Sequence, residues 1–240
     1  MKNILSDEEE KELKLLETNR KLLGELLSDL RDPPLREFLR FVFSPENLLA
    51  AFLKSPASRR NHHAYAGGLA HHSIQAAILS KSIVKHYKLL GVNVNEDIVV
   101  AGILLHDIGK IGCYIDNDAF CSRRKMNDSN DDYECGHEPQ TKYHHVPRAA
   151  LMHHIPMGAI EISRLADKFN RTRPKVDHML RAKKIDKLVH IILSHHGRKS
   201  WSSPVTPQFI EAYIVHIVES MDGYIEKFNS GEIPRSLYDN

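Results

Sequence analysis

Sixteen of the 240 residues are histidine, and ten of these form adjacent pairs: His62-His63, His71-His72, His144-His145, His153-His154 and His195-His196. Neutral imidazole nitrogens and ionised carboxylate oxygens are the donors that hold borderline divalent metals, so this bias asks first for a metal site. His106-Asp107 closes a run, Ile98 to Leu105, that is apolar on nearly every side, and Ile108-Gly109-Lys110 follows it. His195-His196 closes a second apolar run at Leu188 to Leu193, His72 follows Gly67-Gly68, and Asp222 shares a helical stretch with Ile214, Ile217 and Val218. Burying such groups without partners is costly. One His-Asp dipeptide is ordinarily a satisfied core pair, but seven donors embedded in core-grade sequence (His72, His106, Asp107, His154, His195, His196 and Asp222) need a larger explanation. One ion takes about four to six donors, so the set suggests two ions with the Asp107 carboxylate as their bridge.

The elements that must position these residues are helical. Leu13, Leu16, Leu23, Leu26, Leu27 and Leu30 recur at three- and four-residue offsets, and Ser6 with Glu9 reads as a capping box, giving an amphipathic helix over Ser6 to Leu30. Asp32-Pro33-Pro34 ends it. Two short helical stretches, Leu35 to Phe43 and Glu46 to Lys54, are separated by Ser44-Pro45. A polar loop over Ser55 to Arg60 precedes a helix from Gly68 to about Leu90, with Gly91 as its stop, and a central helix over Glu96 to His106. Helical periodicity returns over Ala149 to Phe169, Val176 to His196 and Pro207 to Phe228. Ile111 to His145 has no period and reads as an inserted loop or hairpin; Gly231 to Asn240 reads as a loose tail. The class is all-α, with residues 1–54 packing as a helical segment on a domain over 55–230.

Charge and composition narrow the function. Lys and Arg (33) nearly balance Asp and Glu (31), so no strong overall field attracts a long polyanion, and any nucleic-acid contact must be local. The acidic start lacks the basic flank and apolar stretch of a signal peptide, and no apolar run approaches membrane-spanning length. Three cysteines without a Cys-x-x-Cys pair do not form a disulfide framework, and the address expected is cytoplasmic. Cys113, Cys121, Cys135 and His137 have the residue types of a structural zinc site, but their spacing fits no short knuckle.

The order His, His-Asp, His, His-His, Asp resembles the HD-domain metal-dependent phosphohydrolases in their binuclear form. Asn61 to His72 (NHHAYAGGLAHH), Leu104 to Lys110 (LLHDIGK) and Leu193 to Arg198 (LSHHGR), with Trp201, Ser203 and Pro204, resemble the YhaM-like bacterial 3′-to-5′ exoribonucleases over about His62 to Tyr224. The resemblance implies one metal at His72, His106, Asp107 and Asp222, and a second at Asp107, His154, His195 and His196. A water or hydroxide between the ions would be the nucleophile, and two ions would acidify it and stabilise phosphoryl charge. Asp107 and Lys110 then carry the catalytic roles, with Lys110, Arg198 and His63 facing substrate. His62 and His63 also suit an outer or capping role, while His190 and His216 read as core or outer partners. The resembled exoribonucleases carry an OB-type barrel, whereas Met1 to Leu30 has the period of a helix.

The reading is therefore a phosphohydrolase with two divalent ions, cleaving a phosphodiester in a nucleotide or single-stranded oligonucleotide in the manner of a 3′-to-5′ exonuclease. Mixed donors favour Mn or Fe, with Zn, Ni, Co or Mg as alternatives. A small-nucleotide phosphatase or cyclic-nucleotide phosphodiesterase is the runner-up, and a non-catalytic nucleotide-binding module the reading from another class. Arg123, Arg124 and Lys125 read as a solvated loop face with phosphate contact as the alternative; a homo-oligomer is left open.

Overall fold

The computed structural model describes residues 6–60, 63–116, 142–173 and 179–230. The fold is all-α, with one two-stranded sheet among the described residues. Helix α1 (Asp7–Asp29) begins with the capping box: Ser6 and Glu9 each accept from the other's backbone N–H. Its Leu23, Leu26 and Leu27 are buried in the same core as the rest of the chain, on α2 (Pro33–Val42), α3 (Leu49–Lys54) and α4 (Gly68–Leu89). The second of the two short stretches starts later than its periodicity indicates, because residues 44–48 form turns.

Helix α5 (Glu96–Leu105) is buried from Ile98 to Leu105 and packs against α4, α8 (Ala182–Ser194) and α9 (Ile210–Ser230). An element buried on every side can deliver polar residues to the interior only at its end, and that is where His106 and Asp107 emerge. A 3-10 turn, Ile108–Lys110, follows and lies against α7 (His154–Arg171). That approach requires glycine. A Cβ on Gly109 would meet the His154 carbonyl oxygen at 1.9 Å and the Gly158 nitrogen at 2.5 Å.

The periodicity over Ala149 to Phe169 is one expected helix but two observed ones, α6 (Pro147–Met152) and α7. His153 separates them with φ 64°, a left-handed conformation that ends α6 and makes His154 the first residue of α7. Within the stretch read as an insertion, β1 (Tyr114–Asp116) and β2 (Tyr143–His145) pair antiparallel, Tyr114 opposite His145. Three-residue strands carry too little alternation to be read from sequence. The described part of the helix expected from Val176 starts at Ala182, where Arg181 is extended, and the one expected from Pro207 starts at Ile210. His62, Cys121, Arg123, Arg124, Lys125, Cys135, His137 and 231–240 lie outside the described residues. No described helix is long and apolar enough to cross a membrane.

Candidate metal centre

Asp107 is 1% exposed, and its two carboxylate oxygens face different sets of imidazoles. Oδ1 lies 3.3 Å from His154 Nε2 and 3.5 Å from His195 Nε2. Oδ2 lies 3.3 Å from His106 Nε2, 3.9 Å from His72 Nε2 and 2.5 Å from Lys110 Nζ. Donor atoms converge in the same division: His154, His195 and His196 form one group, and His72, His106 and Asp107 another.

Helix ends and main-chain carbonyls fix the rings. His106 Nδ1 is bound to the Ile103 carbonyl at 2.6 Å and His195 Nδ1 to the Ile192 carbonyl at 2.7 Å, so both turn Nε2 toward Asp107. His196 Nδ1 is bound to the Trp201 carbonyl at 2.6 Å. Orientation through the remote ring nitrogen is how protein structures fix metal-binding imidazoles. Asp222 enters differently from the sequence expectation. Its Oδ2 accepts from His72 Nδ1 at 2.6 Å and from His63 Nε2 at 3.0 Å, forming a third convergent group with those two histidines and touching the Asp107 set through His72. His63, at φ 57° and 5% exposed, also bonds the Tyr65 hydroxyl, so it stands behind Asp222.

Burial dominates the electrostatics. It drives His72 and His154 down to about 4, against the raising effect of Asp222 on the first and Asp107 on the second. His195 lies well below the usual histidine range and His196 below it, for the same reason. These rings are neutral at physiological pH, the state in which they donate to a metal. Burial would raise the Asp107 carboxyl, but Lys110 and His106 outweigh it and hold it ionised. His154 Nε2 and His195 Nε2 are buried without a hydrogen bond. Orphaned imidazole nitrogens around an ionised carboxylate are a donor set, and the residues present fit divalent ions.

Other expectations resolve individually. Lys110 is turned back onto Asp107 and lines the adjoining cavity. Arg198 is exposed and stacks on Trp201 at 4.8 Å; it lines neither of the two cavities that adjoin the histidines. His216 Nδ1 bonds the His195 carbonyl at 2.8 Å, an outer support, and His190 accepts from the Gln208 backbone. Cys113 is a buried free thiol donating to the Gly109 carbonyl, pushed up to about 11 by burial. Glu219, which the sequence reading missed, lines both cavities, and burial pushes its carboxyl up to about 7. Its spacing of three from Asp222 on one helix face was the available signal.

The sequence pattern described as the HD domain matches residues 69–223, from the turn before His72 to one residue beyond Asp222. This chain belongs to the HD-domain family. The chain is similar to curated proteins named 3′-5′ exoribonuclease YhaM. It is 29% identical to that of Shouchella clausii over 203 residues, covering 85% of this chain and 52% of the relative. It is 27% identical to that of Oceanobacillus iheyensis over 90% of this chain and 58% of the relative, and 27% identical to that of Bacillus subtilis over 90% and 59%. The chain thus spans little more than half the length of these curated relatives. No solved structure matches it significantly.

Proposed function

We propose that this HD domain hydrolyses phosphodiesters with two divalent ions and removes nucleotides from the 3′ end of a single-stranded oligonucleotide. The observation that carries the two-ion reading is the division of donors about Asp107, with His72 and His106 toward Oδ2 and His154 and His195 toward Oδ1. Asp107 would bridge. His72 and His106 would complete one set, and His154, His195 and His196 the other. Asp222 would join the first set or orient it through His72. Bound there, the ions supply Lewis acidity toward a phosphoryl oxygen and acidify a water, so no serine or cysteine nucleophile is needed. The neutral imidazoles of His72, His154, His195 and His196 keep a ring-nitrogen lone pair available to a metal. Lys110 Nζ, at the wall of the adjoining cavity, holds Asp107 and offers positive charge to a phosphoryl oxygen. The exonuclease reading rests on the exoribonucleases that the chain resembles over most of its length.

The test supplies Mn, Fe, Zn, Ni, Co or Mg to chelator-stripped protein and compares four substrates: a 5′-labelled oligoribonucleotide, its deoxy counterpart, mononucleotides, and bis-p-nitrophenyl phosphate. A ladder shortening from the 3′ end, restored by one of the redox-active or borderline metals, is expected. Turnover of mononucleotides alone would replace the proposal by a small-nucleotide phosphatase.

His63 provides a finer check. Its replacement by alanine removes one of the two imidazoles that bind Asp222 Oδ2. Loss of an outer partner costs about 10–100-fold in metal affinity. Competition against a chromophoric chelator should show that loss, with the helical circular dichroism retained.

A further inference from the structure

Two cavities flank the centre and share His196 and Glu219 in their walls. The first, about 420 Å³, is walled by Trp201, Tyr224 and Lys227; Trp201 is 43% and Tyr224 52% exposed. Its size suits a single nucleoside. The Trp201 carbonyl is the group that orients His196, so whatever the indole touches lies beside the candidate ligands. The second cavity, about 390 Å³, is lined by Arg59, Arg60 and Lys110, with the Tyr114–His145 ring pair and the candidate ligand His154. The first cavity carries two large aromatic rings and one cation, Lys227, and the second carries three cations beside one ring pair. Single-stranded nucleic acid is held by that combination, bases stacking on aromatic rings and phosphates passing over basic side chains. A phosphomonoester would need only one of the two.

We infer that the aromatic cavity receives the base of the terminal nucleotide, on Trp201 and Tyr224, and that Arg59 and Arg60 take the backbone phosphates of the preceding nucleotides. The scissile phosphate then lies at the shared boundary, next to His196. This inference rests on the oligonucleotide reading above and adds to it the two subsites and their polarity. Arg198 stacks on Trp201 from outside the cavity walls.

The chain contains a single tryptophan, so Trp201 reports on its own cavity. A hydrolysis-resistant, phosphorothioate-linked pentaribonucleotide is titrated into the purified metal-loaded protein while indole emission is followed. Quenching is expected, and a pentamer abasic at its 3′ nucleotide should bind about tenfold more weakly and leave emission unchanged. Trp201→Ala and Tyr224→Ala should each lower the ratio of oligonucleotide to bis-p-nitrophenyl phosphate turnover about tenfold. Arg59→Gln should flatten the dependence of log affinity on log salt by about 0.7. Tyr213→Ala, on an exposed turn of the same helix as Tyr224, is the control that should change none of these. Oligonucleotide cleavage by the wild type with no quenching and no change of ratio would overturn the subsites. Cleavage of bis-p-nitrophenyl phosphate with neither binding nor cleavage of any oligonucleotide would overturn the reading beneath them.

Discussion

Asp107→Asn is expected to abolish phosphodiester hydrolysis and metal retention together. Both carboxylate oxygens face imidazole donors, so the substitution removes the negative charge that both sets share and replaces one oxygen by an amide nitrogen that cannot bind a metal. Metal analysis should fall from about two ions per chain, the complement of a two-metal site, to substoichiometric occupancy. Turnover should fall by at least the roughly 10²–10³-fold that loss of one preorganised stabiliser costs. The variant also leaves Lys110, only 12% exposed in its side chain, without its anionic partner. Breaking one side of a buried pair destabilises by about 3–5 kcal/mol. A second substitution separates the two effects. Asp107→Asn with Lys110→Met removes both charges, and urea denaturation should show most of the stability restored while metal and activity stay lost. Normal metal content in Asp107→Asn would refute the bridging role.

The residues that were legible in the sequence are those placed by local rules. His106-Asp107 and His195-His196 stand at the ends of apolar helices, where the chain must leave the core, and the structure puts Asp107 and His195 in contact. Of the His153-His154 pair, the resemblance implies His154 for the Asp107 set, and His154 is the one whose Nε2 lies 3.3 Å from Asp107 Oδ1. The physical reason is the left-handed backbone of His153, which breaks the helix and leaves its ring lining the basic cavity. Periodicity, blind to backbone sign, read one helix through that break. What was illegible depends on side chains brought together from far apart. Trp201 and Tyr224 share a cavity across 23 residues, and Tyr114 meets His145 through strands too short for a pattern. Asp222 was found, but not its pairing with His63, because that contact joins residues 159 apart in sequence.

The second large effect comes from a methyl group. Gly109→Ala adds a Cβ that would sit 1.9 Å from the His154 carbonyl oxygen, 2.9 Å from its carbon and 2.5 Å from the Gly158 nitrogen. All three are backbone atoms of α7, so no rotamer relieves the clash; the turn carrying Asp107 and the first turn of α7 must separate. Overpacking costs about 1–3 kcal/mol, occasionally more, and a backbone-on-backbone collision belongs at the top of that range. Gly24→Ala is the matched opposite: it lies on an exposed turn of α1 with nothing within 4 Å of the new Cβ. Helix propensity should make that variant more stable by about 0.5–1 kcal/mol. Denaturation of the two proteins should therefore move in opposite directions from wild type. The functional consequence follows from where the strain falls. His154 Nε2 now faces Asp107 Oδ1 at 3.3 Å, and the separation acts directly on that distance. Metal held by the His154, His195 and His196 group should be lost before metal held by His72 and His106. A titration that stops near one ion per folded Gly109→Ala chain, half the complement of a two-metal site, would show the selective loss. Equal loss from both groups would mean that the strain spreads through Asp107 itself.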